Sequence, residues 1–157
     1  MPYVIDGNNL IGCSGDLSLH DPESREKLIP LIHRFQEAKN TKVTVVFDGE
    51  PPNQPARRHL SPKFIVAYPR SGQSADDEIK RILLDYRQSH EVIVVSSDRE
   101  LKTFAKQRGA KTMNSIEFYF LLKRATYLHG KKEESQKRIN TAVPQNEVEQ
   151  WLKIFDR

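Results

Sequence analysis

Three short apolar runs in this chain end in an aspartate, and this pattern restricts the fold more than any other feature. The runs end at Asp6, Asp48 and Asp98. They are rich in β-branched residues, bounded by turn residues and too short for helices, which indicates buried strands. Because helical stretches separate them, we expect a parallel sheet that brings its carboxyl ends, and these aspartates, to one edge.

A fourth acidic segment, Ser74-Ala75-Asp76-Asp77, lies at a predicted helix start. We expect Asp76 and Asp77 to join the aspartates that follow the strands. Carboxylates that lie close together repel one another, and a divalent cation relieves this repulsion most simply. The pattern is typical of a metal-dependent enzyme that acts on phosphodiesters.

Each acidic motif also has a purely structural interpretation. Asp6-Gly7-Asn8-Asn9 is typical of an Asx turn at a strand end, with its glycine allowing a tight turn. Ser74 and Asp77 can form a helix capping box, and so can Ser97 and Glu100. Acids in the first turn also complement the helix dipole. Caps and turns therefore remain an alternative for each motif taken alone.

Composition excludes several other classes of protein. The chain has 157 residues, of which 37% are hydrophobic and 29% are charged, which suits one domain with its own core. No stretch approaches the roughly 18 apolar residues of a membrane span, and no signal peptide is predicted. Cys13 is the only cysteine, which excludes an internal disulfide and a cysteine-rich zinc site. We expect a cytoplasmic protein without a membrane partner.

The charge balance suits a polyanionic partner. The net charge is +4, and setting aside the five aspartates at the predicted edge leaves the remaining chain at +9. An acidic site within a basic surface suits a polyanionic substrate whose reacting phosphate needs a metal, although a solvated lysine-rich surface would give the same composition. The residues that we expect to form a basic surface beside the acids are Arg57, Arg58, Lys63, Arg70, Lys80, Arg99 and Lys102.

The predicted elements alternate along the chain. A helix is expected to begin near Asp21-Pro22, and residues 50–62 are predicted to be a loop. Residues 1–129 should form the main domain, and residues 130–157 a charged linker followed by an amphipathic helix, from about Pro144, that docks on the same domain. The predicted strands are Tyr3–Asp6, Lys42–Asp48, Lys63–Tyr68, Val92–Val95 and Lys111–Met113.

The order of these motifs resembles that of NYN-domain proteins, a branch of the PIN-like nucleases, and of the YacP-like group in particular. The resemblance covers residues 3 to about 128, and Glu147–Phe155 is similar to that group's closing helix. It implies a three-layer fold in which helices flank a central parallel sheet of about five strands. The segments that carry it are Val4-Ile5-Asp6-Gly7-Asn8-Asn9, Val45-Val46-Phe47-Asp48-Gly49, Ser74-Ala75-Asp76-Asp77-Glu78-Ile79 and Val94-Val95-Ser96-Ser97-Asp98-Arg99-Glu100-Leu101.

The resemblance also implies a metal-dependent endoribonuclease. By position, Asp6, Asp98 and one or both of Asp76 and Asp77 match the metal-binding acids, Asn9 matches their polar partner, and Asp48 is a further candidate. We expect one or two Mg²⁺ or Mn²⁺ ions. Because the sequence supplies no histidine pair to act as acid and base, water is the expected nucleophile, which would leave a 5′-phosphate.

Two other functions were weighed against this one. A non-catalytic RNA- or ribosome-binding module would use the acids as caps and turns. A phosphoryl-transfer domain would also gather acids at strand ends, but two positions disfavour it. The haloacid-dehalogenase type requires an aspartate where Asn8 stands, and the receiver type requires a lysine where Met113-Asn114 stand.

Overall fold

The computed structural model describes residues 1–51, 55–86 and 91–139. A six-stranded sheet lies between two layers of helices, which confirms the predicted three-layer fold. The elements are β1 (Tyr3–Asp6), α1 (Gly7–Ser14), α2 (Ser24–Lys39), β2 (Val43–Val46), β3 (Arg57–Ser61), β4 (Phe64–Ala67), α3 (Ala75–Asp85), β5 (Ile93–Val95), α4 (Arg99–Gln107), β6 (Lys111–Met113) and α5 (Ser115–Ile139).

The sheet order places β1 near the centre. The strands run in the order β3-β4-β2-β1-β5-β6, and all neighbouring pairs are parallel except β3 with β4. Ile5 in β1 is in register with Val45 in β2 and with Val95 in β5. The carboxyl ends of the five parallel strands therefore meet at one edge, which we call the carboxyl edge, and their amino ends meet at the opposite edge.

Side chains alternate between the two faces of the sheet, so the strands serve two cores. Ile5 and Val95 join the core beneath α1, α2 and α5. Val4 and Val94 join the core beneath α3 and α4. Strands buried on both faces read as continuous apolar runs, which is why the sequence indicated them clearly.

The sheet has one strand more than predicted. Residues 57–61 were expected to be part of a loop, but they form β3, which pairs antiparallel with β4 at the edge of the sheet. The strand carries mostly exposed polar side chains, and its pairing is irregular between His59 and Ser61. Edge strands are frequently polar and irregular, so β3 lacks the apolar pattern that identifies a buried strand.

The predicted turn and loop after β1 form a helix instead. Asp6 caps α1 by accepting the backbone N–H of Asn9, and α1 ends at Gly15 in the left-handed conformation. A turn and a helix cap use the same bond from side chain to backbone. The helix continues because Leu10 and Ile11 are fully buried in the core. The helix that was predicted to begin near Asp21-Pro22 is α2, which begins at Ser24 and continues through Pro30.

The last described helix is longer than predicted. Residues 130–139, expected to begin a charged linker, continue α5 to Ile139. A hydrogen bond between His129 and Glu133 and an ion pair between Lys131 and Glu134, each about one turn apart, support the helix. The amphipathic helix predicted from Pro144 lies outside the described residues, and its docking stays a prediction. Within the described ranges, no helix has the length and apolar character needed to cross a membrane.

Gly7 is predicted to be essential for packing α1 against the sheet. A Cβ atom at this position would lie 2.5 Å from two ring carbons of Phe47, which is fully buried. We expect Gly7→Ala to lower the free energy of unfolding by about 1–3 kcal/mol, because the core must shift to accept the methyl group. Urea denaturation monitored by circular dichroism measures this change.

Gly12→Ala is the matched control, since it makes the same substitution in the same helix. The nearest atom to its added Cβ would be a methyl carbon of Leu19 at 3.4 Å, which is an ordinary contact. This variant should be neutral or gain about 0.5–1 kcal/mol from helix propensity. Equal destabilisation by both substitutions would contradict the role assigned to the contact between Gly7 and Phe47.

Candidate active site

Asp6 lies near the middle of the carboxyl edge, and it is only 6% exposed. One carboxylate oxygen accepts the backbone N–H of Asn9 at 3.2 Å, and the other lies 3.5 Å from the hydroxyl of Ser96, which follows β5. Burial is the main cause that raises the pKa of Asp6 to about 6. The hydrogen bond from Asn9 opposes this shift, whereas the carboxylates of Asp76 and Asp48 add to it.

Asp48 lies beside Asp6 and connects three elements. Its carboxylate accepts the backbone N–H of Ala75, the first residue of α3, at 2.8 Å. Its own backbone N–H donates to the side-chain oxygen of Asn8 in α1 at 3.1 Å, and its carbonyl accepts a bond from Arg25 in α2 at 2.7 Å. The end of β2 is thereby fixed to the starts of α1 and α3.

The two adjacent aspartates of α3 have different surroundings. Asp76 is half-buried, and burial raises its pKa, with further contributions from the carboxylates of Asp98 and Asp48. Asp77 is exposed and accepts bonds from the backbone and hydroxyl of Ser74, at 3.0 and 3.1 Å, which lower its pKa. The capping box between Ser74 and Asp77 is therefore confirmed. Asp76 is the member of the pair that interacts electrostatically with the other acids.

Asp98 begins α4 at the same edge. Its carboxylate accepts the backbone N–H of Leu101 at 3.1 Å, so Asp98 is the helix cap, and the alternative of a capping box between Ser97 and Glu100 does not apply. The backbone N–H of Asp98 donates to the hydroxyl of Ser96 at 3.1 Å. Because Ser96 also lies beside Asp6, this one buried hydroxyl contacts both Asp6 and the backbone of Asp98.

Asn9 connects α1 to the elements on its other side. Its side-chain oxygen accepts the backbone N–H of Ser97 at 2.9 Å and the hydroxyl of Ser115 at 2.6 Å. The hydroxyl of Ser97 in turn accepts the backbone N–H of Ser115 at 3.1 Å. Sequence reasoning missed the parts played by Ser96 and Ser115, although each serine follows the end of a strand, which is the available signal.

Four carboxylates thus lie along the carboxyl edge within electrostatic range of their neighbours. We call the set of Asp6, Asp48, Asp76 and Asp98 the acidic edge. Among the residues that the structure describes, no three acidic, histidine or cysteine side chains surround a common point closely enough to hold an ion. The donors are all hard oxygen atoms, and burial, together with a smaller contribution from neighbouring carboxylates, raises the pKa values of Asp6 and Asp76, so a cation would stabilise their ionised forms. This chemistry fits Mg²⁺ or Mn²⁺.

The predicted basic residues occupy different places around the sheet. Lys80 lies one turn beyond Asp76 and pairs with Glu100 at 3.5 Å, and Lys102 donates to Asn114 at 2.5 Å. Arg70 and Arg99 are exposed near the carboxyl edge. Lys63 does not belong beside the acids, because it precedes β4 at the amino edge, where it donates to Asn40.

The two arginines of β3 differ in their surroundings. Arg57 pairs with the last residue of β4, near the carboxyl edge, and its guanidinium lies 4.0 Å from the carboxylate of Glu78. Glu78 is 2% exposed and also binds Arg81, so this buried acid is neutralised by two arginines. Arg58 is half-buried, and its Nε has no hydrogen-bond partner in the described part of the chain.

The raised pKa of Asp6 predicts a pH-dependent cost to stability. Below the unfolded pKa of 3.8 the carboxyl group is protonated in both states, and above about pH 6 it is ionised in both, so the folded state bears the full cost at neutral pH. Asp6→Asn should therefore raise the free energy of unfolding by up to roughly 3 kcal/mol at pH 8. The gain should shrink as the pH falls from 6 towards 4. Asparagine can still cap the helix.

Urea denaturation in EDTA at several pH values tests this expectation. Asp77→Asn is the control, since the pKa of Asp77 is lowered and the sign reverses. That variant should be less stable than the parent at neutral pH, and the difference should fade in acid. A stability gain for Asp6→Asn that does not change with pH would contradict the assigned cost.

Comparisons with known proteins agree with this fold. The family model of the YacP-like NYN domain matches residues 3–156. The W164L mutant of Rae1 (YacP) from Bacillus subtilis has a TM-score of 0.68 at 20% identity, covering 99% of this chain and 97% of that chain. Another Rae1 (YacP) structure from the same organism gives 0.66 at 22% identity, covering 99% and 92%.

At these identities the two Rae1 structures show a common fold. No curated protein matches the sequence. The family match, however, extends over almost the whole chain and includes every residue of the acidic edge. The chain therefore belongs to the YacP-like NYN domain family, a branch of the PIN-like nucleases.

Proposed function

We propose that this protein is a metal-dependent endoribonuclease whose reaction takes place at the acidic edge. The observation that carries the proposal is the state of Asp76. It is half-buried, repelled by Asp98 and Asp48 and partly compensated by Lys80, and its carboxylate accepts no hydrogen bond within the described ranges. A helix dipole favours an acid at this position but does not require one to face other carboxylates. Membership of a nuclease family supports RNA as the substrate.

Asp6, Asp76 and Asp98 would hold the cation, with Asp48 beside them. When bound there, Mg²⁺ or Mn²⁺ would supply Lewis acidity towards the phosphodiester and the attacking water. Because the carboxylates do not surround a single point before binding, we expect some of them to act through intervening water, as is usual for Mg²⁺. Asp77 is assigned to capping α3 rather than to the cation.

The remaining contacts would orient the reacting groups. Asn9 uses its side-chain oxygen within the fold, so its amide nitrogen is the group that would donate to a phosphate oxygen or to water. The hydroxyl of Ser96 and the helix start at Leu101 would hold Asp6 and Asp98 in place. Hydrolysis by water would leave a 5′-phosphate and a 3′-hydroxyl, which end-labelling of the products can establish.

A non-catalytic RNA- or ribosome-binding module is the second candidate, and a specific observation favours it. Asp6 and Asp98 each cap a helix, and Asp48 accepts the first N–H of α3. These three acids thus have structural duties that need no metal. Asp76 has no such structural role among the described contacts, so experiments on Asp76 separate the two candidate functions.

Asp76→Asn is predicted to abolish cleavage without harming the fold. The substitution preserves shape and removes the charge that Asp98 and Asp48 repel. We expect Mn²⁺ affinity and RNA cleavage in limiting Mn²⁺ to fall by at least about a hundredfold. Metal-free stability should stay equal or rise slightly. Isothermal titration with Mn²⁺ and a gel-based cleavage assay give the two measurements.

Asp77→Asn is the matched control, since it changes the neighbouring residue in the same way. It should lose a little stability through the capping box and keep cleavage. Normal cleavage by Asp76→Asn in limiting Mn²⁺ would refute the catalytic assignment. A parent protein that binds RNA but neither binds Mn²⁺ nor cleaves would identify the binding module instead.

The exposed arginines near the acidic edge are predicted to contact RNA phosphates. Replacing Arg70 and Arg99 together by glutamine should weaken the binding of single-stranded RNA. The slope of log K against the logarithm of the salt concentration should become shallower by about 1.4, because two phosphate contacts are lost. Lys63→Gln is the control, because Lys63 lies at the amino edge. Fluorescence anisotropy in EDTA over a range of salt concentrations measures both effects. A slope that changes equally in the control would place the RNA elsewhere.

A further inference from the structure

Three large apolar side chains are exposed on one face of α5. Phe120 is 66% exposed, Tyr127 is 52% exposed and Ile116 is 41% exposed. Successive residues of a helix are about 100° apart, so these three positions lie within roughly 40° of one another around the axis. We call Ile116, Phe120 and Tyr127 the aromatic stripe.

The core does not account for the aromatic stripe. The opposite face of α5 packs against the sheet and neighbouring helices through Phe118, Tyr119 and Leu122, which are almost completely buried. No residue of the stripe belongs to that buried set. Exposed apolar side chains that line up on one face, rather than occurring singly, are typical of a binding surface.

Cations accompany the aromatic stripe along the helix. Lys123 is exposed between Phe120 and Tyr127, and its ammonium group is held by Asp16 at 2.8 Å. Arg124 is exposed beside it, and the ammonium group of Lys131, which also pairs with Glu134 at 3.4 Å, lies 5.7 Å from the ring centre of Tyr127. Aromatic rings that alternate with cations are the usual means of binding single-stranded nucleic acid, because bases stack on the rings and phosphates approach the cations.

The aromatic stripe begins at the carboxyl edge, beside Asn9. Ser115, the first residue of α5, donates its hydroxyl to Asn9, and Ile116 follows directly. From Ile116 to Tyr127 the helix rises about 16 Å away from that edge. A strand that leaves the acidic edge over α5 would therefore meet Phe120 first and Tyr127 afterwards.

We propose that the aromatic stripe binds single-stranded RNA that extends from the cleaved bond, by stacking bases on Phe120 and Tyr127. The ligand class rests on the proposed function, and the continuity with the carboxyl edge and the accompanying cations favour RNA over a protein partner. Arg124 contacts the phosphates of the same segment, and Lys123 and Lys131 add positive charge beside it although each also pairs with an acid of the chain. Phe120 and Tyr127 are thus binding residues outside the catalytic set.

Phe120→Leu tests the stacking directly, since leucine retains apolar area but has no aromatic face. We expect the affinity for a fluorescently labelled single-stranded RNA to fall about tenfold. Phe120→Trp should bind at least as tightly as the parent, because tryptophan stacks well. Anisotropy is measured in EDTA with the full chain, so cleavage does not enter the result. Both substitutions are at an exposed position, and thermal denaturation confirms that the fold is kept.

Leu84→Ala is the matched control, because Leu84 is 54% exposed on α3 and outside the stripe. Its RNA affinity should equal that of the parent. Parent-like binding by Phe120→Leu would overturn the proposal. A normal RNA affinity combined with a loss of self-association or of stability would also overturn it, and would assign the stripe to a protein contact.

The proposal can be separated from the proposed catalysis. Asp76→Asn should bind RNA in EDTA like the parent, whereas Phe120→Leu should raise the KM of cleavage and leave kcat nearly unchanged. If the parent cleaves no RNA but Phe120→Leu still weakens binding, the proposed activity fails and the aromatic stripe stands. If cleavage is normal and binding by Phe120→Leu is also normal, the activity stands and the stripe fails.

Discussion

The repulsion among four carboxylates at one edge of the sheet is the constraint on which the rest of the structure depends. The parallel topology creates it, because Asp6, Asp48 and Asp98 follow neighbouring strands. The same topology supplies a partial remedy, since short connections also bring helix starts to that edge. α1, α3 and α4 each present a backbone N–H to one of these aspartates. Positive helix ends thereby stabilise charges that would otherwise repel one another without compensation.

Neutral side chains fix the distances that the charges would otherwise increase. Asn9 binds Ser97 and Ser115, so α1 is fastened to the starts of α4 and α5. On its other side α1 approaches β2 so closely that only glycine fits opposite Phe47. A connected hydrogen-bond network of this kind holds its members more rigidly than separate pairs do. The backbone positions of the acidic edge are consequently fixed before any ligand arrives, which supports a precise site.

The sequence revealed the parallel strands and the edge where their acids meet, because buried strands produce unmistakable apolar runs. It did not reveal α1, since Gly7-Asn8-Asn9 favours a turn locally and the helix is decided by the burial of Leu10 and Ile11. It could not choose between Asp76 and Asp77 either. That choice depends on the direction each side chain takes from α3, and adjacent residues share the same motif. β3 escaped notice because an exposed edge strand has no apolar pattern.

The placement of the basic side chains argues that the repulsion at the acidic edge serves a function. Within the described ranges, no lysine or arginine forms an ion pair with any aspartate of the acidic edge, although cations lie nearby. Arg57 and Arg81 pair with Glu78. Arg25 approaches Asp48 but donates to its backbone carbonyl and not to its carboxylate. One arginine in contact with Asp6 would remove most of the cost of burying it. Under the function that we propose, a fold that forms these ion pairs elsewhere and leaves its most costly carboxylates without one would keep those oxygens available for a cation from outside the chain.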